Sequence, residues 1–263
     1  MASISAETPG RPRIHFRVEG SGPHATLIHG VGADLGSWDE IAPVLARSFT
    51  VVRADLLGHG ESERAAQTCT LADLAQGVRV VWNHLRIEKT DLAGFSLGGL
   101  IAQSLALSDP ERIRRLAILS AVAGRTEEER AQVVDRLEVL KEQGIGGVTA
   151  AAEERWFTPE FRAAHPDRVR QRMAALLAND PTSYAAAYTV FATSDLGERL
   201  AKIRHPTLVT TGEHDRGSNP RMARLMHEKI HDSRLVILPG LRHSVLAEAP
   251  DRIAALLLAH FIA

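Results

Sequence analysis

The 263-residue sequence contains a single cysteine, Cys69, so the chain can form no internal disulfide and nothing in it points to an oxidising compartment. Cys69 precedes a predicted helix and has no histidine pattern around it, and we interpret it as inert. An excess of one charge is also missing: 31 Lys and Arg stand against 32 Asp and Glu, without a basic cluster. We therefore expect no nucleic-acid partner.

Long hydrophobic runs are absent as well. Residues 1–13 lack the apolar stretch of a signal peptide, and no segment has the roughly 20 apolar residues of a membrane helix. We expect a cytoplasmic protein without a membrane partner. Hydrophobic residues still make up 44% of the chain, which is enough for the core of one large domain or two small ones.

Apolar strands alternate with helices over the first 123 residues. Strands are predicted at residues 13–18, 25–29, 50–55, 90–95 and 116–120. Between them, Ser37 is expected to cap a helix that runs to Ala46, and residues 70–85 carry apolar side chains at helical spacing. This alternation predicts an α/β fold with a mostly parallel central sheet and helices on both faces.

The pattern changes over residues 124–201, where no strand is predicted. Thr126 and Glu129 have the spacing of a capping box that opens a helix, and Gly144 and residues 146–147 interrupt it. A separate helical domain is one interpretation. Because strands resume at residues 205–212 and 234–238, we favour a helical cap inserted into a core made of residues 1–123 and 202–263.

One stretch carries a chemical signature. Gly94-x-Ser96-x-Gly98 lies between a predicted strand and a predicted helix, which is the context of a nucleophile elbow. A serine at such a sharp turn projects its hydroxyl above the sheet, and the glycines allow neighbouring backbones to approach. The alternative is a glycine-rich turn with an incidental serine.

Two further residues follow predicted strands in a suggestive order. A serine nucleophile needs a histidine base, and the base needs a carboxylate that orients it. Asp215 and His243 follow the last two predicted strands, and the order Ser, Asp, His is that of α/β-hydrolases. Alone, Asp215 could be a turn residue and His243 a surface-loop histidine; the combination with Ser96 favours a catalytic triad.

These motifs resemble the α/β-hydrolase fold family along nearly the whole chain, and within it the 3-oxoadipate enol-lactonases. The core motifs are His29-Gly30-Val31-Gly32, residues 55–62 (DLLGHGES), residues 94–99 (GFSLGG), Gly212-Glu213-His214-Asp215 and His243. The cap motifs are residues 154–161 (ERWFTPEF), Asp180-Pro181 with Tyr184, and Asp195-Leu196. The resemblance implies hydrolysis of a lactone that carries a carboxylate, without a cofactor.

The resemblance also implies roles for individual residues. Ser96 would be the nucleophile, His243 the base and Asp215 its orienting carboxylate. The backbone N–H groups of Val31 and Leu97 would form the oxyanion hole.

Substrate binding is the next inference. A substrate carboxylate needs a cation outside the triad, and we expect Arg125, where the chain leaves the sheet, to supply it. Trp156 is our candidate for an apolar wall, and Trp38 belongs either to that pocket or to the core. Otherwise Arg125 would pair with Glu128 or Glu129 on the surface, and Trp156 would anchor the cap.

Several alternatives remain open. The oxyanion loop that begins at His29 is more typical of general carboxylesterases, and carbon–carbon bond hydrolases of this fold often carry a tryptophan near the position of His243, which this chain lacks. A non-catalytic small-ligand receptor belongs to a different functional class. We expect a small-molecule substrate and a monomer or homodimer.

A metal site is the last possibility. His227 and His231 have the i, i+4 spacing of helical metal ligands, but no third ligand follows, so we expect no metal. His59 is expected to stabilise its own turn.

Overall fold

The computed structural model describes residues 4–6 and 10–263. Within these residues the chain forms one eight-stranded sheet. The strands are β1 (Ile4–Ala6), β2 (Ile14–Glu19), β3 (His24–Ile28), β4 (Thr50–Ala54), β5 (Thr90–Phe95), β6 (Ile113–Leu119), β7 (Thr207–Gly212) and β8 (Ser233–Leu238). The strands predicted from apolar runs are all present, and β1 was not predicted.

The strand order is β1-β2-β4-β3-β5-β6-β7-β8. The first two strands pair antiparallel, β2 also pairs antiparallel with β4, and all later neighbours are parallel. The expected mostly parallel sheet is therefore confirmed. Because parallel strands end at the same edge, the loops that follow β5, β7 and β8 lie side by side.

Ten α-helices are found in residues 4–6 and 10–263. They are α1 (Ala42–Leu45), α2 (Leu71–His84), α3 (Leu97–Ser108), α4 (Glu127–Trp156), α5 (Pro159–Ala164), α6 (Pro166–Leu177), α7 (Pro181–Thr193), α8 (Pro220–Lys229), α9 (Val245–Glu248) and α10 (Pro250–Ile262). Among the helices of this described part, none is both long and apolar enough to cross a membrane.

The segment after β3 differs from the sequence prediction. Instead of one helix capped by Ser37, the chain forms a 3₁₀ helix over Leu35–Trp38 and then the short α1. The cap of the first turn is Asp34, whose carboxylate accepts the N–H of Gly36 at 2.7 Å. Asp34 takes the cap position because its backbone is extended and it directly precedes the first turn, whereas Ser37 lies inside the 3₁₀ helix.

Helices α4 to α7 connect β6 with β7. The predicted capping box is present: Thr126 accepts the N–H of Glu129, and the Glu129 carboxylate accepts the N–H of Thr126 at 2.8 Å. At Gly144, φ is 66° and ψ is −170°, a conformation open essentially to glycine alone, so α4 consists of two helices joined at a kink.

The core forms on both faces of the sheet. One buried cluster joins α2 and α3, through Leu74 and Leu100, to Leu137 of α4 and Tyr184 of α7. The other packs α1 and α10 against the opposite face. Helices α4 and α7 therefore share apolar packing with one face of the sheet.

Candidate active site

Ser96 lies in a strained turn between β5 and α3. Its φ is 56° and its ψ is −117°, an unfavourable combination for a residue with a side chain. A Cβ on Gly94 would lie 2.1 Å from the carbonyl oxygen of Gly98, and a Cβ on Gly98 would lie 2.3 Å from that of Ile28. Both positions therefore require glycine, which explains the Gly-x-Ser-x-Gly spacing.

Ser96, His243 and Asp215 form a chain of hydrogen bonds. Ser96 Oγ lies 3.1 Å from His243 Nε2, and Asp215 Oδ2 lies 2.7 Å from His243 Nδ1. An ionised carboxylate can only accept, so Nδ1 carries the proton in this pair and Nε2 is left to accept the serine hydroxyl. The arrangement can remove a proton from Ser96 as a carbonyl carbon is attacked.

Asp215 is buried but well satisfied. Its Oδ1 accepts the N–H groups of Gly217 and Ser218, each at 2.9 Å. Burial alone would raise the pKa of Asp215, but His243 and these two N–H groups outweigh burial and lower the pKa below its ordinary value. The carboxylate therefore stays ionised.

The predicted oxyanion groups lie on both sides of the serine. Leu97 is the first residue of α3, and Val31 belongs to the loop after β3 and lines the same cavity as Ser96. Within residues 4–6 and 10–263, no protein acceptor takes the backbone N–H of either residue. Both donors are thus available to a negatively charged oxygen.

Two buried histidines brace this loop, and sequence analysis did not assign them that role. His29 Nδ1 donates to the carbonyl oxygen of Gly30 at 2.8 Å and its Nε2 accepts the N–H of Leu56 at 2.9 Å. His59 Nε2 accepts the N–H of Gly32 at 3.0 Å. His59 therefore stabilises the oxyanion loop in addition to its own turn.

These contacts require neutral imidazoles. Burial, and secondarily the neighbouring His29, lowers the pKa of His59 to about 3. Burial also lowers the pKa of His29, although the charge of Asp55 opposes the shift. Each ring accepts a backbone N–H, which a protonated imidazole cannot do.

A cavity opens above Ser96 and holds about 740 Å³ of empty space, including solvent at its mouth. Val31, Ser96 and His243 line its floor. The helical segment supplies aromatic side chains and three arginines: Trp156, Tyr184, Tyr188, Phe191, Arg136, Arg155 and Arg172. The expected apolar wall at Trp156 thus lies in the cavity.

The helical segment is tied to both loops of the site. Arg172 Nη1 donates to the carbonyl oxygen of Gly32 at 2.8 Å, next to the oxyanion loop donors. Ser244, the residue after His243, donates its backbone N–H to the carbonyl oxygen of Trp156 at 2.9 Å. The position of α4 and α6 therefore affects both the oxyanion loop and the histidine loop.

Two candidate substrate-binding residues lie elsewhere. Arg125 does not line the cavity; its guanidinium donates to the carbonyl oxygens of Phe191 at 2.8 Å and Ser194 at 3.0 Å, and thus caps the end of α7. Burial lowers its pKa to about 10. Trp38 is fully buried beneath the sheet with Ile41, so its place is the core.

No cluster of three or more potential metal ligands occurs in the part of the chain that the structure describes. His227, one of the two histidines with metal-like spacing, has its Nδ1 2.9 Å from Ser233 Oγ. The helix end carrying His227 is therefore joined to the start of β8.

Comparison with known proteins identifies the family. The chain belongs to the α/β-hydrolase fold family, whose model matches residues 26–250. This match confirms the fold class that the motifs predicted.

Individual relatives are similar over most of their length. (E)-2-((N-methylformamido)methylene)succinate hydrolase of Acinetobacter baylyi is 28% identical over 256 residues, which cover 96% of this chain and 95% of the relative. 3-Oxoadipate enol-lactonase 2 of the same organism is 27% identical over 227 residues, covering 86% and 84%. The crystal structure of the enol-lactonase from Burkholderia xenovorans LB400 superposes with a TM-score of 0.92 at 26% identity, covering 99% of this chain and 100% of that one. The expected similarity to enol-lactonases is confirmed, and hydrolysis is the coarse activity that these relatives support.

Proposed function

We propose that this protein is a serine hydrolase that cleaves a small ester or lactone, with Ser96 as nucleophile, His243 as base and Asp215 as its orienting carboxylate. The observation that carries the proposal is the hydrogen-bond chain from Asp215 through His243 to Ser96, which ends at the floor of a cavity. A protein that only binds a ligand has no need for this series of hydrogen bonds.

The reaction follows from the roles of these groups. Ser96 Oγ attacks the carbonyl carbon while its proton passes to His243 Nε2, and the N–H groups of Val31 and Leu97 stabilise the oxyanion. The carbon–oxygen bond of the substrate then breaks, and His243 returns the proton to the leaving oxygen. Water hydrolyses the acyl-enzyme with His243 again as base, which releases the acid and restores Ser96.

The finer proposal is an enol-lactonase-like enzyme whose substrate carries a carboxylate. Two full-length relatives support it, because one is named for a 3-oxoadipate lactone and the other for a succinate, and both names denote carboxylate-bearing compounds. Arg155, Arg136 and Arg172 take the role first assigned to Arg125, since they line the cavity and Arg125 does not. Arginine can bind a carboxylate through two parallel hydrogen bonds.

Turnover by a serine variant tests the mechanism. Ser96→Ala is expected to lower kcat/KM for p-nitrophenyl acetate and for 3-oxoadipate enol-lactone by roughly four to six powers of ten, the loss typical of a missing triad nucleophile. Ser104→Ala, on the same helix α3 but outside the cavity, is the matched control and should retain activity.

Activity of Ser96→Ala near that of the wild type would refute the serine mechanism. Tight binding of these compounds by a wild-type protein that turns over neither would instead favour a receptor. Cleavage of a carbon–carbon bond in preference to both esters and lactone would favour that branch of the family.

A further inference from the structure

The charges around the cavity are unbalanced. Arg136, Arg155 and Arg172 line it, and among the described residues the only acidic side chain in its wall is Asp215. Asp215 already faces the imidazole of His243 and two backbone N–H groups. The three guanidinium groups therefore have no carboxylate partner in the wall.

Arg172 is engaged only with neutral groups. Its Nη1 donates to the carbonyl oxygen of Gly32, and its guanidinium carbon lies 4.6 Å from the ring centroid of Trp156. The charge of Asp34 acts to raise the pKa of Arg172, but among the described residues the two form no ion pair within 4.0 Å. Burial lowers the pKa of Arg172 to about 10, so the group stays charged at neutral pH.

Arg155 and Arg136 form a second concentration of positive charge, on α4. Within the described ranges, 4–6 and 10–263, the Arg155 guanidinium donates to no protein acceptor, and Arg136 has only the Tyr188 hydroxyl, at 3.3 Å. Burial and then the charge of Arg136 lower the pKa of Arg155. Two positive charges in one cavity wall repel each other, and a bound anion would offset that repulsion.

The two positions are distinct. Arg172, on α6, donates to Gly32 and packs on the ring of Trp156, whereas Arg136 and Arg155 lie on α4 and Arg136 is 3.3 Å from the Tyr188 hydroxyl on α7. Tyr184 lines the same cavity, and the charges of Arg172 and Arg155 both act to lower its pKa. A single small carboxylate can pair with one position and leaves the other uncompensated.

We infer that the cavity contains two anion subsites, Arg172 on Trp156 and Arg155 beside Arg136, and that the substrate carries two carboxylates in addition to the bond that is cleaved. The inference rests on the proposed function for the scissile ester or lactone. It goes beyond that function, which requires only one carboxylate. The substrate class is therefore a small ester or lactone that carries two free carboxylates besides the carbonyl that is attacked.

Binding to an inactive protein tests the inference without turnover. Calorimetry with Ser96→Ala would compare succinate, glutarate and adipate with their monomethyl esters, each of which keeps the chain and loses one charge. We expect at least one diacid to bind ten or more times as tightly as its monomethyl ester, the ratio expected for a charge-assisted hydrogen-bonded pair. Equal affinity within every pair would overturn the inference.

Arginine variants in the Ser96→Ala background then assign the subsites. Arg155→Gln should reduce the affinity for the preferred diacid to that of its monomethyl ester, and Arg172→Gln should do the same. Lys141→Gln removes a cation from α4 whose Nζ pairs with Glu138, outside the cavity, and should leave the affinity unchanged. A loss with only one of the two arginine variants would refute the second subsite.

These variants distinguish a loss of diacid binding from a loss of folding. Arg155 has no acceptor among the described residues, so Arg155→Gln breaks no hydrogen bond there, and its circular dichroism and diacid affinity together decide the α4 subsite. Arg172→Lys preserves charge, and its circular dichroism and diacid affinity show whether a loss in Arg172→Gln comes from the charge or from the Gly32 contact. If Ser96 proves dispensable for hydrolysis while the diacid preference persists, the proposed mechanism fails and the anion subsites stand.

Discussion

The floor of the cavity and its roof are built in opposite ways. On the floor, Ser96, His243 and Asp215 are linked to one another and to backbone N–H groups, and Gly98 has no room for even one extra carbon. The roof consists of helices α4, α6 and α7, which carry the arginines and most aromatic side chains of the cavity. There Arg155 has no protein acceptor in the described part of the chain, and on the exposed side of α4 a Cβ on Gly146 would meet nothing within 4 Å.

The contrast fits the two tasks that the proposed function requires. Groups that stabilise a transition state must be held in place before the substrate arrives, since reorganisation during the reaction would cost free energy. Groups that recognise an anionic substrate must keep their hydrogen-bonding capacity free for it. On the floor the side chains are therefore held by hydrogen bonds within the protein, while the N–H groups of Val31 and Leu97 have no acceptor among the described residues. On the roof the Arg155 guanidinium is left without an acceptor in the same residues.

The largest loss of stability should come from adding a side chain at the tightly packed Gly98 on the floor. Gly98→Ala places a methyl group 2.3 Å from the carbonyl oxygen of Ile28 and 2.5 Å from that of His29, so a backbone must move. We expect the free energy of unfolding to fall by about 3 kcal/mol and the esterase activity to fall more than tenfold, because the shift displaces the oxyanion loop. Urea unfolding and p-nitrophenyl acetate turnover measure both; a fully stable and active variant would show that the floor is not rigid.

The second largest effect should come from acid, which should lower the free energy of unfolding through the buried histidines near the floor. The pKa of His59 is lowered to about 3 in the folded protein, and that of His29 is also lowered. Below about pH 6.5 the unfolded chain therefore binds protons that the folded protein excludes. The contribution of His59 is complete above that pH and is lost as pH falls toward 3, by about 1.4 kcal/mol per pH unit, and His29 changes stability in the same direction.

Urea midpoints at pH 6.5 and pH 5.0 measure this slope. His59→Gln keeps an acceptor for the N–H of Gly32 and cannot titrate, so it should show a shallower decline than the wild type. The same decline in both proteins would mean that His59 is not the buried neutral group that couples stability to pH.

The smallest effect should come from the roof. Gly146 is exposed in the second half of α4, and Gly146→Ala should raise the free energy of unfolding by about 0.5–1 kcal/mol, because alanine is the better helix former. Gly144→Ala is the matched control: φ is 66° there, so the same change should destabilise the protein. If the two substitutions had the same sign in thermal unfolding, the kink at Gly144 would not be the feature that divides α4.

Several parts of this molecule could be predicted because their signals are local. The elbow around Ser96 depends on strain within five residues, and the capping box of Thr126 and Glu129 depends on one helical turn. The strands β3 to β8 are short apolar runs, each followed by a turn. The prediction of Ser37 as a cap was wrong because the helical turn begins earlier, and Asp34, three residues before Ser37, caps it.

Longer-range features depended on the topology of the sheet. Parallel strands bring the loops after β5, β7 and β8 to one edge, so the proximity of Ser96, Asp215 and His243 followed from the strand pattern. The hydrogen bond between the Gly32 N–H and His59 could not be predicted in this way. It joins two loops that are far apart in the sequence, and no regular residue spacing indicates it.

By itself, the sequence determined the fold class, the elbow and the order of the candidate triad, since each depends on neighbouring residues or on strand order. Only the tertiary structure decided which arginines face the substrate cavity. Arg125 and Arg155 are equally polar in sequence, yet one caps the carbonyl groups of α7 and the other lines the cavity. The reason is physical: a guanidinium on a helix can turn toward a carbonyl, a ligand or water, and helix packing alone selects among them.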